Sequence, residues 1–163
     1  MAVRRLGASL AFFFIVLSKT TASPLVAMVD TDRAFETVVI DDSHVTLFLF
    51  TSASTDASQA RSASALSVVA ELAEALSPLL TAAHGDASVL KGVATEFNIR
   101  TRRCPKLLLF VQRARQAEVL ELGEELQAAA IEAQIRTHLK ELSVSAHGKA
   151  LKSVLAVGGP DEL

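Results

Sequence analysis

The 163-residue sequence predicts one α/β domain, a mixed central sheet with helices on both faces. Three observations carry this. Val45-Thr46-Leu47-Phe48-Leu49-Phe50 is apolar apart from one threonine and rich in β-branched and aromatic side chains, which reads as a strand buried on both faces. Directly after it the period changes: Leu66, Val69, Leu72/Ala73 and Leu76 recur at helical spacing through Ser58–Leu76. A second apolar run, Lys106–Val111, is followed closely by Ala117–Leu122, the pattern of an antiparallel hairpin. With 50% hydrophobic residues, a chain of this length buries one core and hardly two.

The elements follow in order. Arg4 and Arg5 precede the apolar run Leu10–Leu17, and Thr20-Thr21-Ala22 supplies small residues of the kind a signal peptidase reads. The run is far short of the roughly 20 residues a membrane span needs, so residues 1–22 are expected to be a cleaved secretory signal. No membrane insertion is expected after cleavage. Without Arg4, Arg5 and Lys19 the chain keeps 13 basic and 18 acidic residues, net −5, which gives no argument for nucleic acid or an anionic membrane.

The run Pro24–Val29 reads as a first strand. Asp30 or Thr31 then caps a helix with Ala34, Phe35, Val38 and Val39 on one face, ending at Asp41-Asp42-Ser43. The central strand and long helix follow, and Ser77-Pro78 stops that helix because proline lacks the N–H. Leu79–Ala83 reads as a third strand, His84-Gly85-Asp86 as a turn, and Ala87–Phe97 as a short helix with Leu90, Ala94 and Phe97 on a common side. After the loop Asn98–Pro105 come the strand Lys106–Val111, the linker Gln112–Gln116 and the strand Ala117–Leu122. Gly123 breaks the chain. A last helix from about Glu125 to Leu142 presents Ile131, Ile135, Leu139 and Leu142 on one face. The domain is thus expected over residues 23–142, with a loose tail over 143–163. Right-handed crossovers make the first three strands parallel, and the closing hairpin adds an antiparallel edge.

This β-α-β-α-β-α-β-β-α order, with the residues that mark it, resembles the thioredoxin fold, specifically one domain of a protein disulfide isomerase. Leu25–Val29 with Phe35-Glu36-Thr37-Val38-Val39 is similar to the family's opening strand and helix. Val45–Phe50 resembles the strand before its active site. Ala94 with Phe97-Asn98-Ile99-Arg100 resembles its "A-x-x-F/Y-x-I/V-R" stretch, and Pro105–Phe110 its cis-proline "P-T-L-x-x-F". Leu122-Gly123 matches the glycine before the last helix. The resemblance spans Leu25 to Leu142.

What the resemblance implies about chemistry is mostly missing. An oxidoreductase of this kind needs C-x-x-C at the start of the second helix, where the helix dipole and N–H groups stabilise a thiolate. Aligned on the central strand, those positions are Ser54 and Ala57. The family's buried acid falls at Phe48, the aromatic before its first cysteine at Ala53, and the arginine after its glycine at Glu124. No shift of alignment restores dithiol exchange, because the chain holds one cysteine.

That cysteine is Cys104, next to the proline that the resemblance makes cis. Arg102, Arg103 and Lys106 flank it, and neighbouring cations depress a thiol pKa, so Cys104 is a candidate reactive thiol. The resemblance further implies a peptide-binding groove lined by Thr51, Ser52, Ala53, Ser54, Cys104, Pro105 and Gly123, with an extended client pairing to backbone beside Pro105. Ser54 is read as a helix N-cap rather than a nucleophile, since no histidine and acid accompany it. Six basic residues between Arg100 and Arg115 read either as solvated loop charges or as a patch for an acidic client segment. The four histidines show no metal-ligand spacing, and no phosphate loop or other cofactor motif is present, so neither metal nor cofactor is expected.

The chain closes on Pro160-Asp161-Glu162-Leu163, which resembles the K-D-E-L retrieval signal of the endoplasmic reticulum lumen with proline in the lysine position. Asp161, Glu162 and Leu163 would then meet a retrieval receptor. Together these features lead to the expectation of a redox-inactive luminal protein that binds or escorts secretory clients. A monothiol oxidoreductase or mixed-disulfide partner acting through Cys104, and a structural subunit of a larger luminal folding complex, are the alternatives.

Overall fold

A computed structural model describes residues 26–42, 44–111 and 115–144. The proposed signal segment, Ser43, the linker residues Gln112–Ala114, the side chain of Leu142 and the terminal Asp161-Glu162-Leu163 lie outside that description.

The centre of the fold is β2 (Val45–Thr51), whose residues are buried from Val45 to Phe50. Together with β1 (Val26–Met28), β3 (Leu80–Asp86), β4 (Lys106–Val111) and β5 (Ala117–Leu120) it forms a five-stranded sheet in the order β1-β3-β2-β4-β5. β3 runs parallel to both β1 and β2, whereas β4 runs antiparallel to β2 and to β5. The two faces of the sheet alternate along the strands, as a period of two requires. Leu47 and Leu49 join Leu107, Leu109, Val69, Leu72, Ile131, Ile135 and Leu139 in one core beneath α2 (Asp56–Ala75) and α4 (Ala128–Val144). Phe48 and Phe50 join Phe35, Leu90, Leu108 and Phe110 in the other, beneath α1 (Asp32–Phe35) and α3 (Lys91–Glu96).

The second core is aromatic where the first is aliphatic. Phe35 meets Phe48 edge-on at 4.9 Å between ring centroids and Phe110 at 5.6 Å, while Phe97 meets Phe110 at 5.3 Å. These are favourable spacings for aromatic rings. Phe48, the position of the family's buried acid, is fully enclosed in this cluster, so that site is a packing position here.

Local chemistry corrects several expectations. Thr31 is the cap of α1, its side chain accepting from the Ala34 N–H at 3.1 Å. The helix then widens into a π-helical turn over Glu36–Ile40. His84-Gly85-Asp86 is not a turn but the end of β3. Glycine stands at position 85 because of close approach: a Cβ there would lie 2.5 Å from Leu90 Cδ1 and 2.7 Å from the Val29 carbonyl oxygen. α3 accordingly starts late, at Lys91, and ends at Phe97 in a Schellman arrangement. Asn98 takes a positive φ of 53°, and the Ile99 N–H reaches back to the Ala94 carbonyl at 2.7 Å. β5 ends at Leu120, and the last helix begins at Ala128 and continues to Val144. Among the described residues no helix is long and apolar enough to cross a membrane.

Candidate functional site

The C-terminal end of β2 opens into Ser52–Thr55, where backbone N–H groups bond to nearby serine hydroxyls. The Ser52 N–H donates to Ser62 Oγ at 3.2 Å, and the Ser54 N–H to Ser52 Oγ at 3.2 Å. Thr51 donates its hydroxyl to the Gly85 carbonyl at 3.2 Å, and its own carbonyl accepts from the Ala87 N–H at 3.0 Å. Ser54 does not cap α2 as expected. Thr55 does, in a capping box: the Ser58 N–H donates to Thr55 Oγ1, and the Thr55 N–H to Ser58 Oγ, each at 3.1 Å. A cap at Ser54 would place Ala57 in the reciprocal position, and alanine has no group to return the bond. Ser54 and Ala57 themselves are exposed.

Facing this end of the sheet, a 3₁₀ turn (Thr101–Arg103) leads into Cys104 and Pro105, joined by a cis peptide bond. Cys104 and Pro105 share a cleft of about 420 Å³ with Arg61, Arg102, Arg103, Lys106, Leu120, Glu121, Leu122, Gly123 and Glu124. Of the groove residues expected from sequence, the structure brings Cys104, Pro105 and Gly123 together and leaves Thr51, Ser52, Ala53 and Ser54 outside this lining. Gly123 adopts a φ of 56°, the left-handed conformation that glycine takes at little cost. Its carbonyl accepts a hydrogen bond from Arg61 Nη2 at 2.6 Å, which ties α2 to the turn before α4.

Sequence reasoning missed Arg61. A signal was available, because Arg61 is the single basic residue of α2 and sits in its second turn, near the end where the dipole disfavours a cation. A tertiary acceptor accounts for it.

The thiol does not behave as its neighbours in sequence imply. Cys104 is 6% exposed, and its Sγ points to the Arg100 carbonyl at 3.7 Å. Burial pushes its pKa up to about 11; the negative charge of Asp86 adds to the rise, and Lys106 offsets it in part. Arg102 and Arg103 are exposed and do not contribute to the thiol's shift. Desolvation thus works against the cation effect on which the reactive-thiol expectation rests, and is the larger of the two. Backbone pairing beside Pro105 is narrowed too. The Cys104 N–H already donates to the Thr101 carbonyl at 3.2 Å, closing the 3₁₀ turn. The Cys104 carbonyl receives no hydrogen bond among the described residues and is the group left to pair with an extended chain.

A second cleft, of about 700 Å³, lies at the other end of β2. There Asp42 accepts from the His44 N–H at 3.0 Å, lies 2.6 Å from the His44 ring, and accepts from the Thr81 hydroxyl at 3.4 Å. Burial raises the Asp42 pKa, but the bonds from His44 and Thr81 outweigh it, and the net direction is downward. These contacts tie the β2 entrance to β3, which is a structural role.

No protein-family model matches the chain, and no curated protein matches it. Among solved structures it is similar to the Trx4 domain of ERdj5, with 17% identity and a TM-score of 0.58 over 72% of this chain and 98% of that one. It is also similar to the J-Trx1 fragment of ERdj5, with 14% identity and a TM-score of 0.56 over 71% of this chain and 50% of the fragment, so it spans half of that fragment's length. The chain has the thioredoxin fold.

Proposed function

We propose that this chain is a redox-inactive thioredoxin-fold protein of the endoplasmic reticulum lumen that binds or escorts secretory proteins during folding. Binding would use the cleft beside Pro105. Fold by itself is a weak warrant for function, so the reading rests on one observation about the site. Where the fold's dithiol would stand, Ser54 and Ala57 stand exposed, and the only cysteine of the chain is buried and held protonated. The cleft, with apolar Leu120 and Leu122 and a Cys104 carbonyl that receives no hydrogen bond among the described residues, remains. A chain with one thiol forms no internal disulfide, and a thiol this far above its ordinary pKa is a poor nucleophile at neutral pH.

Location rests on sequence and similarity together. The signal-like start, the terminal Pro160-Asp161-Glu162-Leu163 and the likeness to domains of ERdj5 support a luminal protein of the secretory pathway.

The test has two readouts on the same preparation. Saturable binding of a reduced, carboxymethylated client, with no reduction of insulin disulfides under glutathione, is the expected result. Turnover of insulin, or failure to bind any unfolded client, would overturn the proposal.

A further inference from the structure

We infer that the cleft beside Pro105 takes an acidic extended segment, one in which Asp or Glu flanks an apolar side chain. This rests on the reading of the cleft as a client-binding site and adds the chemistry of the client.

Four cations reach the cleft from three separate elements: Arg61 from α2, Arg102 and Arg103 from the 3₁₀ turn, and Lys106 from β4. Two carboxylates, Glu121 and Glu124, line the same cleft from the segment leaving β5. The cleft is thus net positive on a chain whose net charge is −2, so the rest of the molecule is more acidic than its total shows. Elsewhere Arg115 bridges Glu36 and Glu96, and Arg136 pairs with Glu132. None of the four cleft cations takes part in a salt bridge among the described residues.

Grouped cations of one sign in a concave site attract an opposite charge more strongly than the same residues spread over a surface. Cys104, Pro105, Leu120 and Leu122, all buried, supply the apolar part of the lining. A segment with both features fits. A nucleic acid fits less well, because its phosphates would continue past the cleft onto the acidic remainder of the chain.

Fluorescence anisotropy on the full chain tests this with one short extended peptide made in three forms, carrying Glu, Gln or Lys at the flanking positions. The Glu form is expected to bind at least tenfold tighter than the Gln form, with the advantage falling as salt rises. In R102E/R103E the order of the Glu and Lys forms should reverse. Both residues are exposed, and far-UV circular dichroism checks that the variant is folded. Equal affinity for all three forms overturns the acidic preference while leaving client binding standing. Binding of none of them overturns the client-binding reading as well. A single-stranded oligonucleotide that binds tighter than the Glu peptide also overturns the inference, and marks a general polyanion site.

Discussion

Arg61 Nη2 and the Gly123 carbonyl meet at 2.6 Å across 62 positions of sequence. This bond fixes one wall of the cleft relative to the helix that would carry the dithiol in an active thioredoxin-fold enzyme. Arg61→Ala is expected to lower stability by about 1 kcal/mol, the usual worth of one hydrogen bond at a partly wet site. Urea unfolding measures it, and an unchanged midpoint would show that the bond does not hold the turn.

Phe48, aligned with the buried acid of the family the sequence resembles, is a packing residue. Phe48→Ala is expected to cost roughly 3–5 kcal/mol, because it empties the centre of an enclosed aromatic cluster. Phe48→Asp should cost more, since it adds an unpaired carboxyl to the same site. The check is the shift in denaturation midpoint. Wild-type stability in the aspartate variant would mean that the cluster tolerates a buried acid after all.

Cys104 should label slowly. With its pKa raised from 9.0 to about 11, the thiolate fraction near neutral pH falls roughly a hundredfold. Reaction with a thiol reagent at pH 7.5 is therefore expected well below the rate of a free cysteine, and to match it after denaturation. The same shift stabilises the fold at all pH values below about 9 and is lost as pH rises through about 11. Fast labelling of the folded chain would revive the monothiol reading.

His84, half-buried in β3, has its pKa lowered by burial from 6.5. A base whose folded pKa is depressed favours folding fully above its unfolded value and loses that advantage as pH falls through the folded one. Stability is thus expected to decline on acidification below about 6.5. In His84→Gln that decline should be shallower. Parallel pH profiles for the two proteins would remove His84 from the account.

Much of the fold could be read from periodicity, because its strongest elements are also its most buried. Val45–Phe50 and Lys106–Val111 form the paired central strands, and Ile131, Ile135 and Leu139 face the core from α4. Gly85 was misleading for a physical reason. Sequence patterns equate glycine with a turn, whereas here its lack of a Cβ admits Leu90 and a backbone carbonyl. Ser54 and Thr55 are chemically alike, and only the reciprocal hydroxyl of Ser58 decides which one caps α2.

The site was less legible than the fold. The three cations beside Cys104 in sequence suggested an activated thiolate, but burial is a tertiary property and it outweighs them. Arg61 enters the cleft from a helix far away in the chain, and the N–H groups of the loop Ser52–Thr55 bond to serine hydroxyls of the loop and α2, while the loop stays outside the cleft lining. Both facts depend on which elements pack together, and local sequence does not encode that.

Client binding without thiol chemistry requires the cleft to work equally well once the thiol is removed. The measurement is the affinity of the wild-type chain and of Cys104→Ser for the same reduced, carboxymethylated client. Equal affinities, with neither protein reducing insulin, are the predicted result. Loss of binding or of insulin turnover on removal of Cys104 would contradict the account, because function would then depend on a thiol that the structure holds buried and protonated.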